Sequence, residues 1–93
     1  MNVYLVKTRG LAATDYKPQR IKATHPNGST WEEGYTVAGS EAAGVERHAE
    51  VVTALVRRVE CIDPWREFPF TVTHVSSTTD GMTFKVERKE AQA

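Results

Sequence analysis

The chain opens with Val3-Tyr4-Leu5-Val6, an apolar run without alternation. It predicts a strand from Asn2 to Thr8 with both faces covered, hence one in the middle of a sheet. Arg9 to Pro18 has no clear period and carries Gly10, Asp15 and Pro18, so it reads as a loop, longer than the usual connection of about 4–6 residues. Arg20 to His25 and Thr30 to Val37 then flank Pro26-Asn27-Gly28-Ser29, a hairpin signal. A two-residue Asn27-Gly28 loop would split the apolar residues between faces. A three-residue loop that includes Ser29 pairs Ile21 with Tyr35 and His25 with Trp31, keeping them on one face. That register turns Glu33 inward opposite Ala23, and a bulge at Glu32-Glu33-Gly34 would relieve it.

The clearest element follows Gly39-Ser40. Ser40 is a good N-cap, and Glu41 suits the positive end of a helix. Val45, Ala49, Val52, Leu55, Val56 and Val59 recur at helical spacing as one apolar stripe, with Glu46, Arg47, Glu50, Arg57 and Glu60 mainly on the other side. Pro64 disfavours helical geometry at Asp63, so the helix should stop around Cys61. Asp63-Pro64-Trp65-Arg66-Glu67 has the cap and first-position proline of a short helical turn. Phe70 to Ser77 and Met82 to Arg88 alternate around Thr79-Asp80-Gly81. A three-residue loop with Gly81 left-handed aligns Phe70, Val72 and His74 with Met82, Phe84 and Val86; a two-residue loop would not. The order is β-β-β-α-β-β. It predicts an α+β fold, an antiparallel sheet of about five strands with one long helix packed on one face. Residues 1–93 read as a single domain with a flexible loop at 9–18 and a fraying tail at 89–93. One helix covers one sheet face, so the other must be polar, or covered by a partner or a second copy of the chain.

Composition adds bounds rather than a function. A chain of 93 residues with 40% hydrophobic and 26% charged positions suits one globular core. The lone Cys61 provides no internal disulfide framework and points to a reducing interior. The N-terminus lacks the basic start and long apolar run of a signal peptide, and no stretch approaches the ~20 apolar residues of a membrane span. Net charge is zero, with 12 basic and 12 acidic residues, but unevenly placed. Lys7, Arg9, Lys17, Arg20 and Lys22 oppose only Asp15 in the first 25 residues, whereas residues 26–67 hold eight acids against four arginines. Such a split could orient a partner. Two oppositely charged halves of one solvated surface are the simpler account.

Candidate chemistry is sparse. Cys61 stands beside Glu60, Ile62 and Asp63, an acidic setting that does not activate a thiol. His25, His48 and His74 are dispersed and form no spaced ligand pair. His25 and His74 fall on inward faces near Glu33, so a His-His-Glu cluster is conceivable, although satisfied core histidines are far commoner. Gly39 to Gly44 is a generic helix-start anion site without a Walker lysine. The expectation is therefore a non-enzymatic chain with no catalytic residues, metal or cofactor. Trp65, Arg66, Phe68 and Phe70 cluster within six residues and form the candidate partner-binding surface, since Trp and Arg are enriched at interface hot spots. Trp65 and Phe68 could equally close the core beneath the helix end. Arg9, Tyr16, Lys17, Arg20 and Lys22 form the nucleic-acid-binding alternative, mixing cationic and aromatic character as single-strand binders do. A pI near 6.8 weighs against that alternative.

Arg20-Ile21-Lys22-Ala23-Thr24, the Gly28 turn, Tyr35, and a helix with His48 before Ala54-Leu55 resemble small orphan accessory proteins of actinobacterial phages and mobile elements. The resemblance covers residues 16–56 and brings no catalytic residues. It implies a phage protein in the cytoplasm of an infected bacterium, binding a host or phage protein and in some cases slowing host growth. A homodimer through the uncovered sheet face is a further expectation; nucleic acid ranks below a protein partner, and no membrane is implied.

Overall fold

The computed structural model describes residues 3–12, 15–16, 19–34, 41–79 and 81–89. Its elements are β1 (Val3–Leu11), β2 (Arg20–Thr24), β3 (Thr30–Gly34), α1 (Glu41–Val59), β4 (Phe70–Ser77) and β5 (Gly81–Arg88). All neighbours pair antiparallel in one five-stranded sheet of order β3-β2-β1-β5-β4, so the fold is α+β with the order β-β-β-α-β-β. β3 and β4 are the two edges, and α1 links them across one face of the sheet.

That face is the core. Val6 of β1, Ile21 and Ala23 of β2, Phe84 and Val86 of β5 and Phe70 of β4 are buried against Val51, Val52, Leu55 and Val56 of the helix. Burying those four helix side chains contributes roughly 6–12 kcal/mol before entropy is subtracted. The buried helical stripe runs 48, 51, 52, 55, 56, so it includes Val51 and the buried His48 beyond the positions read from the sequence, with Val45, Ala49 and Val59 packed at its margins. Among the described residues, no helix is long and apolar enough to cross a membrane.

β1 does lie in the middle of the sheet, but only one of its faces is covered. Tyr4, Val6 and Thr8 point to the helix, whereas Val3 (42%) and Leu5 (50%) are exposed on the other side. The strand also runs on to Leu11, paired with Arg20, so Arg9 to Leu11 are ladder rather than loop. Of the expected loop 9–18, residues 13–14 and 17–18 lie outside the described residues, as do Ser40, Tyr35, Asp80 and residues 90–93 of the tail.

Both hairpins differ from expectation for a local reason. In the first, Thr24 pairs with Thr30 and Ile21 with Glu33, and His25 N donates to the Ser29 carbonyl at 2.8 Å. The three-residue loop is thus Pro26-Asn27-Gly28, one position earlier than predicted. Gly28, at φ 94°, takes the left-handed third position that only glycine fills without strain, and this sets the frame. Trp31 and Glu33 still face the helix, and no bulge interrupts the β2–β3 register. In the second hairpin the ladder closes at Thr78 and Gly81, whose backbone N–H and carbonyl are 2.7 Å apart. A register shift between His74 and Ser76 restores the alignment that a shorter turn would lose, keeping His74 opposite Phe84 and Val72 opposite Val86. Gly81 is not left-handed; it faces Arg9 in the ladder, and a Cβ there would overlap the Thr8 carbonyl oxygen.

Candidate functional site

The helix stops by a Schellman arrangement. Ile62 N donates to the Arg57 carbonyl at 2.8 Å and Cys61 N approaches the Arg58 carbonyl at 3.4 Å, with Cys61 left-handed at φ 55°. Glycine is usual at that position because a Cβ is strained in the left-handed region, yet here the position is held by Cys61, which is exposed. Asp63 to Arg66 then form a single turn, Arg66 N donating to the Asp63 carbonyl at 3.0 Å, rather than a turn of helix. Arg57 laces this turn to the helix. Its Nη1 donates to the carbonyls of Asp63 (3.0 Å) and Arg66 (3.1 Å), and its guanidinium lies 5.2 Å from the Phe68 ring centroid.

Trp65 stands on this turn and is 81% exposed. Arg66 is exposed beside it, with Nε 3.8 Å from Asp63 Oδ2. Phe68 is half-buried against the core, and Phe70 is only 4% exposed. Phe70 therefore leaves the proposed partner surface: β4 alternation turns it inward opposite Arg88, where it meets Phe68 and Tyr4. Alongside the turn lies a groove of about 830 Å³ whose lining includes Trp31, Leu55, Arg57, Arg58, Val59 and Ile62. Arg58 sits 4.3 Å over the Trp31 ring. The groove has an apolar floor and a cationic rim.

The inward glutamate has a structural partner set. Glu33 accepts from Trp31 Nε1 at 2.8 Å and from Arg47 Nη2 at 3.3 Å, and Arg47 also donates to the Gly34 carbonyl and Glu50. The carboxylate thereby ties the β3 edge to the helix, which removes the need for a bulge. His25 and His74 do not meet. His25 Nδ1 accepts from Asn27 N and its ring packs on Tyr4, whereas His74 shares a 2.7 Å hydrogen bond with Ser77. Among the described residues, no three His, Cys, Asp or Glu side chains converge in a metal-binding arrangement. His48 lies in the core, 2.7 Å from Thr8 Oγ1, and burial lowers its pKa below the ordinary histidine value. Burial, and secondarily the Glu60 carboxylate, raises that of Tyr4.

The opposite face of the sheet gathers cations from three strands. Leu5, Lys7, Arg9 and Leu11 of β1 alternate away from the helix, and pairing places Lys22 opposite Arg9, Arg20 opposite Leu11, Thr24 opposite Lys7 and Lys85 opposite Leu5. Arg9, Arg20 and Lys22 are thus brought together as the alternative reading required, although Arg9 and Arg20 are separated by a loop in the chain. Lys17 lies outside the described residues, and Tyr16 is in the loop after β1, 96% exposed. Lys7 and Lys85 were missed. The signal for Lys7 was its spacing of two from Arg9, which puts like charges on one strand face, whereas Lys85 is brought there only by the pairing of β5 with β1. Comparison with known protein families, with curated proteins and with solved structures yields no match to this chain.

Proposed function

We propose that the chain is a non-enzymatic interaction module, a phage-type accessory protein that binds a host or phage protein through the Trp65–Arg66 turn and the adjoining groove. The observation that carries this reading is an indole 81% exposed on a turn that Arg57 fixes by two hydrogen bonds. A large aromatic left in water gains most when a partner buries it, and tryptophan and arginine recur among residues that dominate binding energy. A turn already held in place loses little entropy on association. The apolar groove beside it offers the partner a second anchor point, with Arg57 and Arg58 at its rim. Binding of a host factor in this way would interfere with its normal partners and so with host growth.

Self-association through the open sheet face is a weaker option. A two-fold contact places the same patch against itself, and here that brings Lys7, Arg9 and Lys22 of both copies together.

The test is capture from a nuclease-treated bacterial lysate, with the retained protein identified by mass spectrometry, purified and titrated calorimetrically. Trp65→Ala with Arg66→Ala should weaken that purified complex about 30-fold or more while leaving the unfolding midpoint unchanged. Unchanged affinity in the double variant would remove this surface from the interaction.

A further inference from the structure

We propose that the open face of the sheet binds single-stranded nucleic acid, its cations gripping the phosphate backbone. This surface is separate from the Trp65 turn and does not depend on it.

The placement of charge carries the inference. Arg20 and Lys22 are two apart on β2, Lys22 faces Arg9 across the β1–β2 ladder, Arg9 and Lys7 are two apart on β1, and Lys85 lies diagonally beyond Lys7 on β5. Strand spacing makes this a continuous path of roughly 25 Å between its end residues. Glu32, opposite Lys22, and Glu87, two residues beyond Lys85, border the path rather than interrupt it. Among the described residues only Lys85 of the five is in an ion pair, at 3.5 Å from Glu87.

Shape agrees with charge. Two shallow depressions flank Lys7. One, of about 420 Å³, is lined by Lys7, Arg9, Thr24 and Thr83, which together offer cations and hydroxyl donors. The other, of about 400 Å³, has Leu5 and Pro26 beside Lys7 and Thr24, an apolar floor suited to the flat face of an unpaired base. Phosphates need the first kind of surface and bases the second, and alternation along β1 supplies both within two residues. A duplex keeps its bases stacked away from such a floor, so the single strand is the better fit. Among the described residues no aromatic side chain from the strands projects from this face, so affinity should come mainly from the backbone, with little sequence preference.

The experiment is an anisotropy titration of labelled 15-nucleotide mixed-sequence DNA and RNA strands at about 25 mM salt, with duplex DNA, polyglutamate and anionic vesicles as comparators. Wild-type protein should bind the single strands, with affinity falling on a log–log salt plot with a slope of about −2 to −3.5. Lys7→Gln with Arg9→Gln and Lys22→Gln should weaken binding at least tenfold at unchanged unfolding midpoint, whereas Trp65→Ala should not alter it. Amide shifts in unmodified protein, tracked as the strand is added, should concentrate at Lys7, Arg9, Lys22 and Lys85, a readout that needs no variant to fold. Absence of binding at low salt, shifts centred elsewhere, or equal affinity for duplex, polyglutamate or vesicles would each overturn the proposal.

Discussion

The two faces of this sheet are made by the same strands and the same alternation, yet they differ in everything but backbone. On β1, Val6 and Thr8 are buried beneath the helix, while Leu5 and Lys7, each one residue away, face outward. On β5 Phe84 and Val86 are fully enclosed, and Lys85 between them stays on the open side. The helix face is held by side-chain packing and tolerates little change. The open face is held by the backbone ladder with little packing of its side chains, so substitutions there cost the fold less. Packing is thus confined to one side of the sheet, and the other side leaves Leu5, Lys7 and Arg9 exposed.

Truncation should separate the two sides most sharply. Phe84→Ala removes a ring at the centre of the core and should lower unfolding free energy by about 3–5 kcal/mol, measured by urea denaturation, a large share of the ~5–15 kcal/mol that holds such a domain. Leu5→Ala, a comparable truncation on the open face, should change it by under about 0.5 kcal/mol. Equal losses would mean that the open face is covered after all.

The boundary between the sides is narrower at Gly81. Gly81→Ala drives a methyl into the Thr8 carbonyl and must spread the β1–β5 ladder, at about 1–3 kcal/mol. A neutral result in the same denaturation assay would place β5 differently against β1.

The smallest effect concerns protonation. Burial holds the His48 pKa below its ordinary 6.5, so the unfolded chain binds the proton more readily than the folded one. Stability from this group is complete above about 6.5 and declines as pH falls from there towards the folded value. Denaturation curves at pH 7 and about pH 5.5 should show the loss, and His48→Gln should flatten it. A slope that survives the substitution would assign the effect to other groups.

Much of the fold was legible because its signals are local. The 3.6-residue stripe of α1, the alternation of β4 and β5, and Asn27-Gly28 each need only neighbouring residues. The hairpin frames were not legible, since the register shift near Val75 compensates a shorter turn and nothing in His74-Val75-Ser76 announces it. The end of α1 was read from Pro64, whereas the stop itself is made by a left-handed Cys61, a residue without glycine's signature. Glu33 looked like a misfit because its partner, Arg47, is supplied by another element. For the candidate surfaces, Trp65 and Arg66 could be singled out by type, but their exposure, and the burial of Phe70 five residues after Trp65, depend on which way the chain enters β4.

By itself the sequence determined the elements, their order and, apart from the register shift in β4, which residues of each strand share a face, because periodicity is set by backbone geometry alone. Only the tertiary structure decided which of the two faces the helix covers at each strand, where β1 ends, and that lysines and arginines as far apart as Lys7 and Lys85 meet on one surface. Those are questions of pairing between segments distant in the chain. Their answers come from burying the largest apolar area at once, a sum over the whole molecule that no local pattern contains.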